Sequence, residues 1–219
     1  MIKFKKVTIV ALVGVMAIVG SIARSENAFA WKSRYWGTKN GHFGICDTGG
    51  HGYRGVACFN GTSIAAVAAA LRIRYKLSVT PSTVAKAAYN WGIWTSVAGS
   101  GKSAYLSGSM PRNFIWDIMA EYGYDVVGMS GNSDSVWKKI ASGLKSGYVI
   151  IMRAQGNKPF EGDGDRYLVI YAAKSNVTVQ VSSPTHCGND STYCGKAISW
   201  KTLRDASKRN VYFYTFRKS

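Results

Sequence analysis

The run TSIAAVAAALRIRYKL, Thr62 to Leu77, limits what this chain can fold into more than any other stretch. Its pattern is helical. Its alanines and short aliphatic side chains let it pack tightly inside the protein, and Arg72, Arg74 and Lys76 favour its C-terminal end through the helix dipole. The fold must therefore supply elements that cover this helix.

The segments that follow are suited to that task. In SVTPSTVAKAAYNWG, Thr80 can cap a second helix, Pro81 suits its first turn and Gly92 offers a stop. The spacing predicts a third helix from Pro111 to Tyr122 closed by Gly123, a short strand DVVGM, and an amphipathic helix SDSVWKKIASGLKSG capped by Ser133 or Asp134. The character then changes. Tyr148–Ala154, Tyr167–Ala173 and Val177–Ser183 are β-branched and aromatic runs, the last two joined by a tight KSN turn. A short helix WKTLRDASK and a strand NVYFYTF end the chain. Helices first and a mostly antiparallel sheet second is an α+β order.

The first thirty residues are expected to stand apart from this domain. Lys3, Lys5 and Lys6 precede an apolar run from Val7 to Ala23, and Ala28-Phe29-Ala30 has the small residues of a signal-peptidase site. Residues 1–30 thus read as a cleaved signal peptide, with a retained membrane anchor as the alternative. Residues 31–219 then form one domain, secreted or associated with the cell envelope, with no transmembrane span of its own. Four of the 28 basic residues and one of the 11 acidic ones lie in the signal segment, leaving 24 against 10, a formal charge of +14. Such a chain is drawn to anionic surfaces, including cell-envelope polymers. No zinc-finger spacing or RNA-binding signature is present, and nucleic acid is not expected as a partner. The basic residues near the C-terminus read as a solvated helix face and a tail. The sequence does not specify an oligomeric state.

Cys46, Cys58, Cys187 and Cys194 all lie in the exported part, where an even count favours disulfides, with three possible pairings. Without a C-x-x-C pair, no metal site is expected. SVAGSGKSAYLSGS lacks P-loop spacing and reads as a surface loop. Glu161, Asp163 and Asp165 alternate as in a calcium loop but lack its remaining ligands, and they sit too close in one loop to flank a glycosidic bond. No cofactor is implied.

Cys58 directly precedes the small-residue helix, and a helix N-terminus favours the thiolate. A cysteine at a central helix, then further helices, then an antiparallel sheet resembles the papain-like cysteine peptidases. The similarity narrows to exported relatives of the bacteriocin leader-processing (double-glycine) peptidases. CFNGTSIAAVAAAL, VTPSTVAKAA, FIWDIMAEYGYDV, VWKKIASGLKSGYVIIM and GDGDRYLVIYAAKSNVTVQVSSP follow that family's order from about residue 52 to 184.

The resemblance implies a nucleophile at Cys58, or at Phe59 in an ungapped alignment. It places the base histidine at Arg166 and the orienting aspartate at Ser183, and the oxyanion glutamine has no counterpart. A guanidinium does not release its proton near neutral pH and cannot act as a general acid-base pair. The expectation is a papain-like domain with a degenerate catalytic set that binds peptide or a cell-envelope polymer. The alternative is an active, divergent cysteine peptidase or amidase with Cys58 as nucleophile and His51 or His186 recruited as base. In the first case Cys58 is bridged; in the second its thiol is free. A basic, disulfide-stapled envelope protein of another fold is the third possibility.

Overall fold

The computed structural model describes residues 61–98, 105–106, 109–161, 164–175, 177–183 and 193–218. The central helix α1 spans Gly61–Tyr75. From Ile64 to Leu71 every side chain is 2% exposed or less, so the helix is enclosed on all sides. Five of those eight residues are alanine, which lets neighbouring elements approach its backbone closely. It ends two residues before the expected Leu77. Lys76 adopts a left-handed φ of 59° and its N–H returns to the Arg72 carbonyl at 3.2 Å, a cap that glycine more often supplies.

Helix α2, Pro81–Asn90, starts as its sequence predicts. The Thr80 hydroxyl accepts from the Thr83 N–H at 3.1 Å, Pro81 occupies the first turn, and Gly92 stops the helix at φ 71°. The GS-rich loop contains a two-stranded antiparallel ribbon, β1 (Val97–Ala98) with β2 (Tyr105–Leu106). Helix α3, Phe114–Glu121, is shorter than expected, because Pro111 to Asn113 form a turn in which the Pro111 carbonyl accepts from the Phe114 N–H at 3.1 Å.

Strand β3, Tyr124–Ser130, precedes α4, Asp134–Lys145, whose N-terminus is capped by the Ser133 hydroxyl accepting from the Val136 N–H at 3.4 Å. There follow β4 (Val149–Gly156), β5 (Arg166–Ala173), β6 (Thr178–Ser182), β7 (Cys194–Ser199), α5 (Trp200–Ala206) and β8 (Ser207–Lys218). Strand β7 is absent from the expectation. So is the length of β8, which takes in Lys208, Arg209, Arg217 and Lys218, whereas Lys201 and Arg204 lie on α5 as a helix face; Arg217 pairs with Asp125 of β3 at 3.5 Å.

The main sheet has the order β3-β8-β4-β5-β6-β7, and every neighbouring pair is antiparallel. The fold is α+β, as the element order implies. Both faces of the sheet are buried. Val149, Ile151, Tyr167, Val169, Tyr214 and Phe216 join the core beneath α1, α2 and α3. Ile150, Met152, Leu168, Ile170 and Phe213 face the other way, into a second core with Trp137, Ile140 and Leu144 of α4 and Leu203 of α5. Among the described residues no helix is long and apolar enough to cross a membrane.

Candidate functional site

The last turn of α1 is fixed at one corner of the sheet. The Tyr75 hydroxyl donates to the Phe216 carbonyl at 3.0 Å, and its ring stacks on Tyr124 with centroids 3.9 Å apart. Phe216 pairs with Val149, the first residue of β4. The body of α1 packs mostly on β5, then on α2 and β4.

Along β4 the α1-facing surface of the sheet turns from aliphatic to polar. Four residues beyond Val149 stands Arg153, directly opposite Tyr167 on β5 and Tyr212 on β8. Side chains alternate along strands, so Arg153 shares its face with Ile151, and Asp165 shares the face of Tyr167 and Val169. Arg153 Nε lies 3.6 Å from Asp165 Oδ2, and both side chains are 30% exposed. The guanidinium also sits over the Tyr212 ring, 5.6 Å from its centroid, within cation–π range. Tyr212 and Tyr214 lie next to each other at 4.7 Å.

Burial and mutual contacts set the electrostatics of this group. Burial pushes the Tyr167 phenol well above its usual range, reinforced by Tyr214 and partly opposed by Arg153. Burial likewise raises Tyr214, again against the pull of Arg153. Burial alone would lower Arg153, but Tyr214, Tyr167 and Asp165 outweigh it and hold the guanidinium above its ordinary value. The cation stays charged and the phenols stay neutral through the physiological range. Such groups give and accept hydrogen bonds without exchanging protons with a substrate. Arg153 Nε and Asp165 Oδ1 are both buried atoms that have no hydrogen-bond partner among the described residues.

Of the residues singled out from the sequence, Arg166 opens β5, but alternation turns it to the face of Leu168 and Ile170, away from α1. Its Nε donates to the Glu161 carbonyl at 3.0 Å. Ser183 is buried just past β6, and its N–H donates to the Tyr193 carbonyl at 2.8 Å. Since Ser182 pairs with Val169, one further step in register sets Ser183 beside Leu168, on the same side as Arg166. The structure thus brings Arg166 and Ser183 to one sheet face, whereas the α1-facing positions in those strands are Tyr167 and Ser182. Cys46, Cys58, Cys187, His51 and His186 lie outside the described residues, as does Asp163. Cys194 opens β7. Among the described residues no group of three His, Cys, Asp or Glu could hold a metal ion. Asp165 is instead engaged by Arg153.

Arg153, Tyr167 and Tyr212 were not legible as a group in the sequence. Only one signal pointed to them: a lone arginine inside the apolar strand YVIIMRA, two residues from the core residue Ile151 and between the buried Met152 and Ala154.

No family model matches the chain, and no curated protein is found similar to it. Among solved structures, the chain is similar to the peptidase domain of Streptococcus ComA, a bi-functional ABC transporter involved in a quorum-sensing pathway. The TM-score is 0.43 and the sequence identity 10%, over 70% of this chain and 89% of that one.

Proposed function

We propose that this chain is a papain-like, peptidase-related domain that binds an extended peptide at the β5 end of the α1-covered sheet and does not cleave it. The observation that carries this reading is the Arg153 cluster. The α1-facing side of this sheet carries a permanently charged guanidinium, flanked across both neighbouring strands by Tyr167 and Tyr212. A guanidinium, a carboxylate and phenol hydroxyls together offer donors and acceptors in alternation, which matches the N–H and C=O groups of a peptide backbone. None of the three histidines in the sequence, His42, His51 and His186, falls on β4, β5, β6 or β8. Cys58 lies three residues before Gly61, so the covalent chain keeps it within about 11 Å of the start of α1. A disulfide at Cys58 would leave no thiolate there, in keeping with the exported setting that residues 1–30 imply.

A dye-labelled, uncharged decapeptide of alternating alanine and glycine tests the binding reading by fluorescence anisotropy. Arg153→Met is expected to weaken binding roughly tenfold, the scale of losing charge-assisted hydrogen bonds. Unchanged affinity in a folded Arg153→Met protein would remove the cluster from the site.

A further inference from the structure

Tyr212 reaches the Arg153 cluster from β8, and a glycine on the next strand sets where its ring lies. In register, Tyr212 stands opposite Arg153 on one side and Ser130 on the other, while Gly128 stands opposite Tyr214. Gly128 is therefore the diagonal neighbour of Tyr212 on the α1-facing side of the sheet, a separation that a long aromatic side chain can bridge. It does so here. A Cβ on Gly128 would lie 1.9 Å from Tyr212 Oη, 2.7 Å from its Cζ and 2.8 Å from Cζ2 of Trp116 in the first turn of α3. The phenol end of Tyr212 thus rests on the bare backbone of β3, with the edge of the Trp116 indole beside it.

The backbone itself does not ask for glycine at this position. The φ of Gly128 lies outside the left-handed region, and β3 pairs with β8 through it without a shift of register. A glycine inside a strand weakens it and often marks a place where another group approaches closely. At Gly128 the approaching groups are two aromatic side chains, and one of them belongs to the Arg153 cluster.

We infer that Gly128, on the peptide reading of that cluster, is a positioning residue of the site: its missing Cβ seats the Tyr212 phenol and so aims the ring at the guanidinium. Arg153 lies 5.6 Å from the ring centroid, close to the ~6 Å limit of a cation–π contact. A methyl group at residue 128 would force the hydroxyl to retreat from 1.9 Å to beyond 3.0 Å. Trp116 and Tyr214, whose ring centroid is 4.7 Å from that of Tyr212, crowd the neighbouring space. The ring must then turn from its present line with Arg153.

Heteronuclear NMR of the isotope-labelled full chain reads this directly, because the Arg153 Nε–H resonance feels the ring current of Tyr212. Gly128→Ala is expected to move that resonance toward its place in Tyr212→Leu, which has no ring. It should weaken binding of the labelled alanine–glycine decapeptide about two- to fivefold, the scale of one partly exposed cation–π contact. Gly143→Ala, on the other side of the sheet, should change neither. Gly128→Ala combined with Tyr212→Leu should bind no more weakly than Tyr212→Leu alone, since both remove the same contact. In a folded Gly128→Ala protein, an unmoved Arg153 resonance, or a moved one with undiminished affinity, overturns the inference; so do losses that add in the double variant. A parent protein that binds no decapeptide while Gly128→Ala still moves the resonance removes the peptide reading and leaves the aiming of the ring intact. Should Gly128→Ala alone fail to fold, the Tyr212→Leu background decides. A folded double variant shows that the Tyr212 ring is what excludes the Cβ, and an unfolded one assigns the glycine to Trp116 and overturns the inference.

Discussion

Arg153→Met is the most informative single substitution in the α1-side cluster, because it removes the charge while the unbranched methionine keeps most of the packing of the arginine stem. The Arg153–Asp165 pair stands at 3.6 Å. At an effective dielectric near 20 its Coulomb attraction is roughly 4–5 kcal/mol before any desolvation is counted. Both side chains are 30% exposed, so solvent screening removes most of that, toward the ~0.2–1 kcal/mol typical of surface pairs. Loss of the cation over Tyr212 adds about 0.5–1 kcal/mol. The buried Asp165 Oδ1, already without a hydrogen-bond partner among the described residues, would then also lose its nearest cation, which raises the cost further. The expected loss of stability is about 1–3 kcal/mol, or a fall in Tm of roughly 2–4 °C for each kcal/mol. Urea unfolding of the single variants, Asp165→Asn and the double variant gives the coupling directly, expected near 1 kcal/mol. If both single variants unfold with the parent and the cycle is additive, the pair is a surface accident and the electrostatic description of the cluster is wrong.

Other outcomes follow from the same structure. The Tyr167 phenol is raised by burial above its ordinary value of 10.0, so the folded state holds its proton more tightly than the unfolded chain does. Its stabilising contribution is complete below pH 10 and is lost as pH rises above it; urea midpoints should fall through the alkaline range, less steeply in Tyr167→Phe. A Cβ added at Gly156 would meet the Ala206 carbonyl oxygen at 1.9 Å, and that oxygen belongs to backbone. Gly156→Ala should therefore destabilise by about 1–3 kcal/mol in chemical denaturation, whereas Gly143→Ala, at a half-buried position of α4 where only the Tyr148 side chain approaches at 3.6 Å, should cost little or add stability.

Much of the architecture is written locally. The small-residue run specified α1, Thr80 and Pro81 specified the start of α2, and Ser133 the start of α4, because capping and helix packing act over a few residues. The end of α1 was less legible, since a lysine rather than a glycine takes the left-handed cap at residue 76. Strand β7, CGKAIS, carries one β-branched residue and owes its conformation to pairing with β6. The basic flanks of β8 are strand because β3 and β4 pair along most of its length, which outweighs their weak β-propensity.

The site was harder to read than the fold. Arg153, Tyr167 and Tyr212 meet through register across three strands, and no local spacing encodes that meeting. The face of Arg166 was equally hidden. Leu168 and Ile170 are as buried as Tyr167 and Val169, so apolar alternation gives no sign of which parity α1 covers. A one-residue difference in parity exchanges Arg166 for Tyr167 as the side chain toward the central helix.

Hydrolysis of fluorescein-labelled casein by the unreduced full chain, beside a Cys58→Ala variant, bears most directly on whether this domain binds peptides or cuts them. If it only binds, the two proteins release no fluorescence above buffer, and alkylation of the parent finds no rapidly reacting thiol. Hydrolysis that depends on Cys58 would contradict the proposal and make the chain a divergent cysteine peptidase.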